Sequence, residues 1–238
     1  MFPEITYFCR SMLIMIRRAI FLILAVLAMC VQSNAQSYYC ERQGATLEYV
    51  RKYVKDGKFC WRHILNISEV NQQGNTRKIV SASSFFKANG KPLYKGDVTE
   101  HVIVDEKDNV QTDMGQLTVS YIKARTGLNA QGATVNTILP SDVEVGDTLP
   151  MIFAEAKVGP LSATVKLYDR KFIKKETISV PAGTFDCIVL EEKKIETGPG
   201  HNRTVRTLTW YTKGIGFVRH DTYIKEVLDT SEILYSLK

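Results

Sequence analysis

The sequence predicts a mainly β protein: one continuous, strongly bent antiparallel sheet of about 10–12 strands with little helix. Three observations carry this. Segments rich in Val, Ile, Thr, Tyr and Phe recur from Thr46 to the end of the chain. Turn residues such as Asp56-Gly57, Asn89-Gly90 and Gly198-Pro199-Gly200 separate them. No internal repeat or low-complexity linker divides them into separate modules.

Taken in order, residues 1–35 read as a secretory leader. Arg17-Arg18 forms a basic n-region, Ala19 to Val31 is a 13-residue apolar run, and Ser33-Asn34-Ala35 is a small-x-small cleavage site. A run of that length falls short of the roughly 20 residues that span a bilayer as a helix, so cleavage after Ala35 is expected. Translation is expected to begin at Met12 or Met15. Leu27-Ala28-Met29-Cys30 approaches a lipoprotein box, but Met29 stands where a small residue belongs, so anchoring through Cys30 is the weaker alternative. Residues 36–238 suffice for a single domain with a real core.

Thr46 to Val54 and Phe59 to Ile67 form the first hairpin, joined through Lys55-Asp56-Gly57-Lys58. In the second strand Phe59, Trp61, His63, Leu65 and Ile67 alternate with their neighbours, which makes one face strongly apolar. Further turns are expected at Asn71 to Asn75, Asn89 to Pro92 and Glu106 to Asn109. A short helix is expected over Met114 to Arg125, a loop over Gly127 to Gly132, and a strand over Thr134 to Leu139 that stops at Pro140. Ser141 to Pro150 reads as a turn-rich link. Six strands follow: Leu161 to Arg170, Lys174 to Val180, Thr184 to Lys194, Thr204 to Thr212, Gly216 to Tyr223 and Ser231 to Leu237.

A transmembrane barrel is excluded by the strand Leu47 to Val54, where Arg51 charges one face and Glu48 and Lys52 the other, so neither could meet lipid. Loss of Arg10, Arg17, Arg18 and Glu4 with the leader lowers the formal charge from +6 to +4. The bases are interleaved with acids, as in Glu191 to Glu196, which argues against nucleic acid as a partner.

Three cysteines remain after cleavage: Cys40, Cys60 and Cys187. An odd number in an oxidising compartment permits at most one internal bridge, and Cys40 with Cys60 is the expected pair. Cys187 reads as a small buried hydrophobe.

Catalytic and metal signatures are missing from the sequence. His63, His101, His201 and His220 are scattered, without zinc-ligand spacing, so neither a metal nor another cofactor is expected. His63 reads as a hydrogen-bonded core residue and His201 as a solvated turn residue. There is no Gly-x-Ser-x-Gly elbow. Asp142, Glu144 and Asp147 form the one acidic cluster around which a hydrolase site could be imagined, and surface carboxylates on a link explain them better. Arg170, Lys171, Lys174 and Lys175 form the densest basic group, readable as a headgroup-docking patch or as a solvated strand edge.

Ile178-Ser179-Val180-Pro181-Ala182-Gly183-Thr184-Phe185-Asp186-Cys187, followed by Thr209-Trp210-Tyr211-Thr212-Lys213-Gly214-Ile215-Gly216-Phe217-Val218, resembles a family of exported bacterial proteins of unknown function. That family is grouped by fold with the periplasmic lipoprotein-localisation factors LolA and LolB. The resemblance covers nearly all of residues 36–238 and implies a half-barrel wrapped around apolar contents or a short helix, with no established activity. Relatives carry a cysteine before the Asp-Met pair where Val104 and Asp105 stand here, which removes an obvious partner for Cys187.

The functional expectation is therefore an exported, non-catalytic protein, periplasmic or otherwise associated with the cell envelope. It would bind a hydrophobic or lipid-like ligand in the concave face, with Phe59, Trp61, Trp210, Phe217 and Tyr223 as the candidate lining. The alternatives are an envelope scaffold that meets a partner protein through exposed sheet edges, and a hydrolase-type enzyme built around Asp142 to Asp147.

Overall fold

The computed structural model describes residues 36–238, so the expected leader, its cleavage site and Cys30 lie outside the described residues. Five strands, β1 (Thr46–Tyr53), β2 (Phe59–Gln73), β3 (Thr76–Phe86), β4 (Val98–Val104) and β5 (Val110–Asp113), lead into helix α1 (Met114–Thr126). Four short strands follow: β6 (Gln131–Gly132), β7 (Asn136–Leu139), β8 (Thr148–Leu149) and β9 (Ile152–Val158). Long strands complete the chain: β10 (Leu161–Val180), β11 (Gly183–Gly198), β12 (His201–Thr212), β13 (Gly216–Ile224) and β14 (Val227–Leu237).

All of them join one antiparallel sheet in the order β6-β9-β10-β11-β12-β13-β14-β1-β2-β3-β4-β5-β7, with β8 beside β10. The sheet is not closed; it is the curved half-barrel expected. It has 14 strands rather than 10–12. The extra ones are mostly the two-residue pairings β6 and β8, inside segments that read as loop and link.

Two expected strands, Leu161 to Arg170 and Lys174 to Val180, are a single β10 whose register against β11 shifts between Tyr168 and Lys171. Asp169 there adopts φ 50°, and the bulge breaks the side-chain alternation that defines a strand in sequence. β2 also outruns its apolar pattern. Its alternation ends at Ile67, yet hydrogen bonding to β3 continues to Gln73.

The helix forms where the pattern placed it. Asp113 Oδ1 accepts from the amides of Gly115 (3.0 Å) and Gln116 (3.1 Å), and Gly127 closes the far end in the left-handed conformation, its N–H bonded to the Lys123 carbonyl. Small buried residues, Gly115, Thr118 and Ala124, line the packed side. A Cβ on Gly115 would fall 1.8 Å from the Ala133 carbonyl oxygen, and one on Gly132 would fall 2.8 Å from that of Glu155. Both obstacles are backbone and cannot swing away. Gly115→Ala is therefore expected to cost about 3 kcal/mol, read as a lower urea midpoint. An unchanged midpoint would mean that the helix start is not pressed against residue 133.

Because α1 packs on both β4 and β9, it bridges strands near opposite ends of the sheet order. The main core gathers Leu47, Tyr49, Leu65, Ile67, Ile79, Val102, Val104 and Leu234, most of them fully buried. A second cluster, Tyr38, Val143, Phe172, Ile188 and Leu190, fills the space beneath the link of residues 141–147.

The bridge expected between Cys40 and Cys60 is not formed, and all three thiols are free. The reason is geometric. Cys40 lies just before β1, where the Gly44 amide bonds to the Ile67 carbonyl. Cys60 sits at the other end of β1, in the register shift opposite Arg51 and Lys52. Cys40 packs in the main core with Ala45, Leu47 and Tyr49, several residues along β1 from Cys60, whereas disulfide Cα atoms lie within about 7 Å. Cys187 is buried as expected, and burial, then Asp186 and Glu176, pushes its thiol up to about 11.

Candidate functional site

The strand register lays one row of side chains across seven strands: Trp61, Arg51, Glu232, His220, Thr209, Leu190 and Phe172 are successive cross-strand partners. Partners in register share a face, so this row belongs to the side of the sheet turned towards α1. The helix ring Tyr121 meets Tyr94 and Phe85, and Phe85 is the register partner of His63 on that same side.

In the middle of the row the groups are ionisable: Arg51 and Glu232 are buried and His220 is half-buried. Arg51 Nε donates to Thr230 Oγ1 (2.9 Å) and Nη1 to Glu232 Oε2 (3.3 Å), while Nη2 reaches the hydroxyls of Thr222 and Thr230. His63 Nδ1 lies 3.2 Å from Glu232 Oε1, and its Nε2 lies 2.9 Å from Ser83 Oγ. Burial opposes the charge on Glu232, but the hydrogen bond from His63 and the charges of His63 and Arg51 outweigh it and hold the carboxyl at about 2. His220 bonds Thr209 Oγ1 at 2.8 Å; burial first, then Arg51 and Lys194, lowers its imidazole to about 3, so it stays neutral.

Rings pack around the network. Tyr49 stacks on Phe217 (4.3 Å) and on His63 (5.1 Å), and His63 stacks on Phe85 (4.6 Å). The Arg51 guanidinium lies 4.6 Å above the Trp61 ring. Tyr94 and Tyr121 join hydroxyls at 2.6 Å over Phe85.

The five expected lining residues do not converge. Trp61 and Phe217 lie on the inner face. Trp210 and Tyr223 lie on the outer one, paired in register with Arg219 and Arg206, whose guanidinium groups cover their rings at 4.6 Å and 4.0 Å. Phe59 stands opposite Lys52 at the mouth of the first hairpin. None of the five lines either of two open clefts. One, about 420 Å³, is bordered by Asp169, Arg170, Lys171, Glu191, Lys193 and Arg206 among others; the other, about 430 Å³, lies along Pro140 to Leu149. The first border is largely charged, and the second mixes Asp142, Asp147 and Thr148 with Pro140, Val143 and Leu149.

The acidic link is a folded turn. Asp147 Oδ2 accepts the Glu144 amide at 2.8 Å, and Glu144 pairs with Lys175. The basic group of β10 is dispersed likewise. Arg170 is buried against Glu192 (3.0 Å) and Lys174 pairs with Glu176 (2.9 Å). Arg170 Nη1 also reaches Thr137 Oγ1 on β7 (3.3 Å) and the Pro150 carbonyl (3.1 Å), tying together two parts of the sheet that share no ladder.

His63 is the hydrogen-bonded core residue expected, and His101 and His201 are exposed. Arg51, His220 and Glu232 were not legible as a group. Their one signal is Arg51, which shares a strand face with Leu47 and Tyr49 and so points a charge inward.

The chain belongs to the DUF3108-like family, whose model matches residues 42–233. Two solved structures share the fold. One is a candidate exported protein with a YmcC-like fold from Bacteroides fragilis NCTC 9343, with a TM-score of 0.70, 19% identity, and coverage of 85% of this chain and 99% of that one. The other is a candidate lipoprotein from Parabacteroides distasonis ATCC 8503, with a TM-score of 0.69, 19% identity and the same 85% and 99% coverage. No curated protein matches the sequence. Among the described residues, no helix is long and apolar enough to cross a membrane.

Proposed function

We propose that this chain is an exported, non-catalytic module of the cell envelope that works through its outer surface rather than by enclosing a ligand. The observation that carries this is the filled inner face. Stacked rings and the hydrogen-bonded set of Arg51, His63, Thr222, Thr230 and Glu232 occupy the inner face, where an apolar ligand would have to sit. The ionisable groups there satisfy one another, and none borders the two open clefts, so a substrate in either cleft would not meet them. This favours the envelope-scaffold alternative over the apolar-ligand reading.

Native mass spectrometry of the protein purified from its own envelope fraction tests the reading. The expected result is the bare mass of the chain. A co-purifying acyl lipid would restore the ligand reading. A hydrolase screen giving an activity that disappears when both Asp142 and Asp147 are replaced by Asn would restore the enzymatic one.

A further inference from the structure

In an antiparallel meander, alternate turns fall at the same end of the sheet. The β1–β2 turn, the β3–β4 connection and the β13–β14 turn share one end, and their strands are neighbours in the order β13-β14-β1-β2-β3-β4. This end is apolar at its tips. Val227 is 69% exposed, Val54 47%, Tyr53 46% and Ile224 37%. They form one patch: Tyr53 is in register with Thr230, the Val54 amide bonds to the Asp229 carbonyl at 2.9 Å, and Ile224 pairs with Val227. Lys225 and Glu226 between them adopt φ 48° and 62°, the tight two-residue turn that leaves the flanking side chains projecting.

The same end is basic. Exposed Lys52, Lys55 and Lys225 stand beside the patch in sequence, Lys87 and Lys91 lie at the same end in the β3–β4 connection, and none of the five has an ion-pair partner among the described residues. The nearby acids are largely engaged: Asp56 by Lys58 (2.7 Å), Glu226 by Arg206 (2.8 Å), Asp229 by Arg203 (3.4 Å), and Asp97 accepts from Ser84 (2.6 Å). The opposite end carries the acids. The β4–β5 turn with Asp105, Glu106 and Asp108 lies there, tied to the acidic link by the Ser141 hydroxyl on the Lys107 carbonyl (2.6 Å).

We infer that this end docks on an anionic lipid surface, the apolar tips entering the headgroup boundary and the lysines lying over the charge. Apolar side chains ringed by cations are the chemistry of interfacial binding, and a bilayer with acidic headgroups matches both halves at once. The inference rests on the envelope-surface reading above, but its test is independent of the apo-mass measurement.

The test is co-sedimentation of the protein with phosphatidylglycerol/phosphatidylcholine vesicles against phosphatidylcholine alone. Binding is expected with the acidic vesicles only, falling as salt rises. Lys55→Gln/Lys91→Gln/Lys225→Gln is expected to lower partitioning about 100-fold, near fivefold per lysine. Val54→Ser/Val227→Ser is expected to lower it at least tenfold, whereas Lys107→Gln/Lys213→Gln at the other end leaves it unchanged. Every altered side chain is exposed or on a turn, and thermal unfolding checks that each variant is folded. Equal binding to neutral vesicles, indifference to both end-specific variants, or a concentration-dependent dimer that hides the patch would overturn the inference.

Discussion

Acidification is expected to destabilise this protein steeply, and His220→Gln to remove much of that dependence. In the folded state His220 stays neutral down to about 3, whereas an ordinary imidazole takes up its proton near 6.5. Between those values the unfolded chain binds the extra proton, so stability falls as pH falls. A difference of that size is worth on the order of 5 kcal/mol. Glu232 acts in the same direction lower down. Its stabilisation is complete above the ordinary 4.5 and is lost as pH falls through about 2. Urea unfolding at pH 7, 5.5 and 4 reads the effect. The variant keeps a polar partner for Thr209 and cannot titrate, so its stability should change little between pH 7 and 5.5, and the fall left at pH 4 is that of Glu232 and the other carboxylates held below their ordinary values. A variant as pH-sensitive as the parent would refute the assignment.

Arg170→Met is expected to cost about 3–5 kcal/mol, the penalty for leaving Glu192 charged and buried without its partner. The same change removes the bonds to Thr137 and to the Pro150 carbonyl. Adding Glu192→Leu should recover most of the loss, because a pair replaced by apolar groups of similar volume is often neutral. Denaturant midpoints of the single and double variants measure this. A loss below about 1 kcal/mol in the single variant would show that the ion pair is not desolvated.

The strands were legible because half-buried strands write their alternation into the sequence. The β1–β2 hairpin, α1 and the strands from Thr184 onward stand within a few residues of where periodicity and turn chemistry placed them. Bulges were not legible, since one inserted residue at Asp169 looks the same as a break. The site was less readable still. Arg51, His63, His220 and Glu232 are far apart in the chain and meet only through the registers of β1, β2, β13 and β14, which periodicity does not specify. Trp210 is buried in the main core cluster and Tyr223 packs against it, so their aromatic character did mark an interior; what it did not show is that Arg219 and Arg206 cover their rings.

Mechanically, the molecule is a collar fastened by a pin. Thirteen strands in succession share their load through backbone hydrogen bonds to neighbours, but between β7 and the β8–β10 region there is no ladder, and the fastenings are the Arg170 guanidinium, two backbone bonds between Phe172 and the link and a helix packed closely at Gly115 and Gly132. Stress concentrates where stiffness drops, so slow amide exchange along the ladder should give way to fast exchange at this clasp. Water is therefore expected to reach the polar interior first through that joint, with every rung of the ladder left intact.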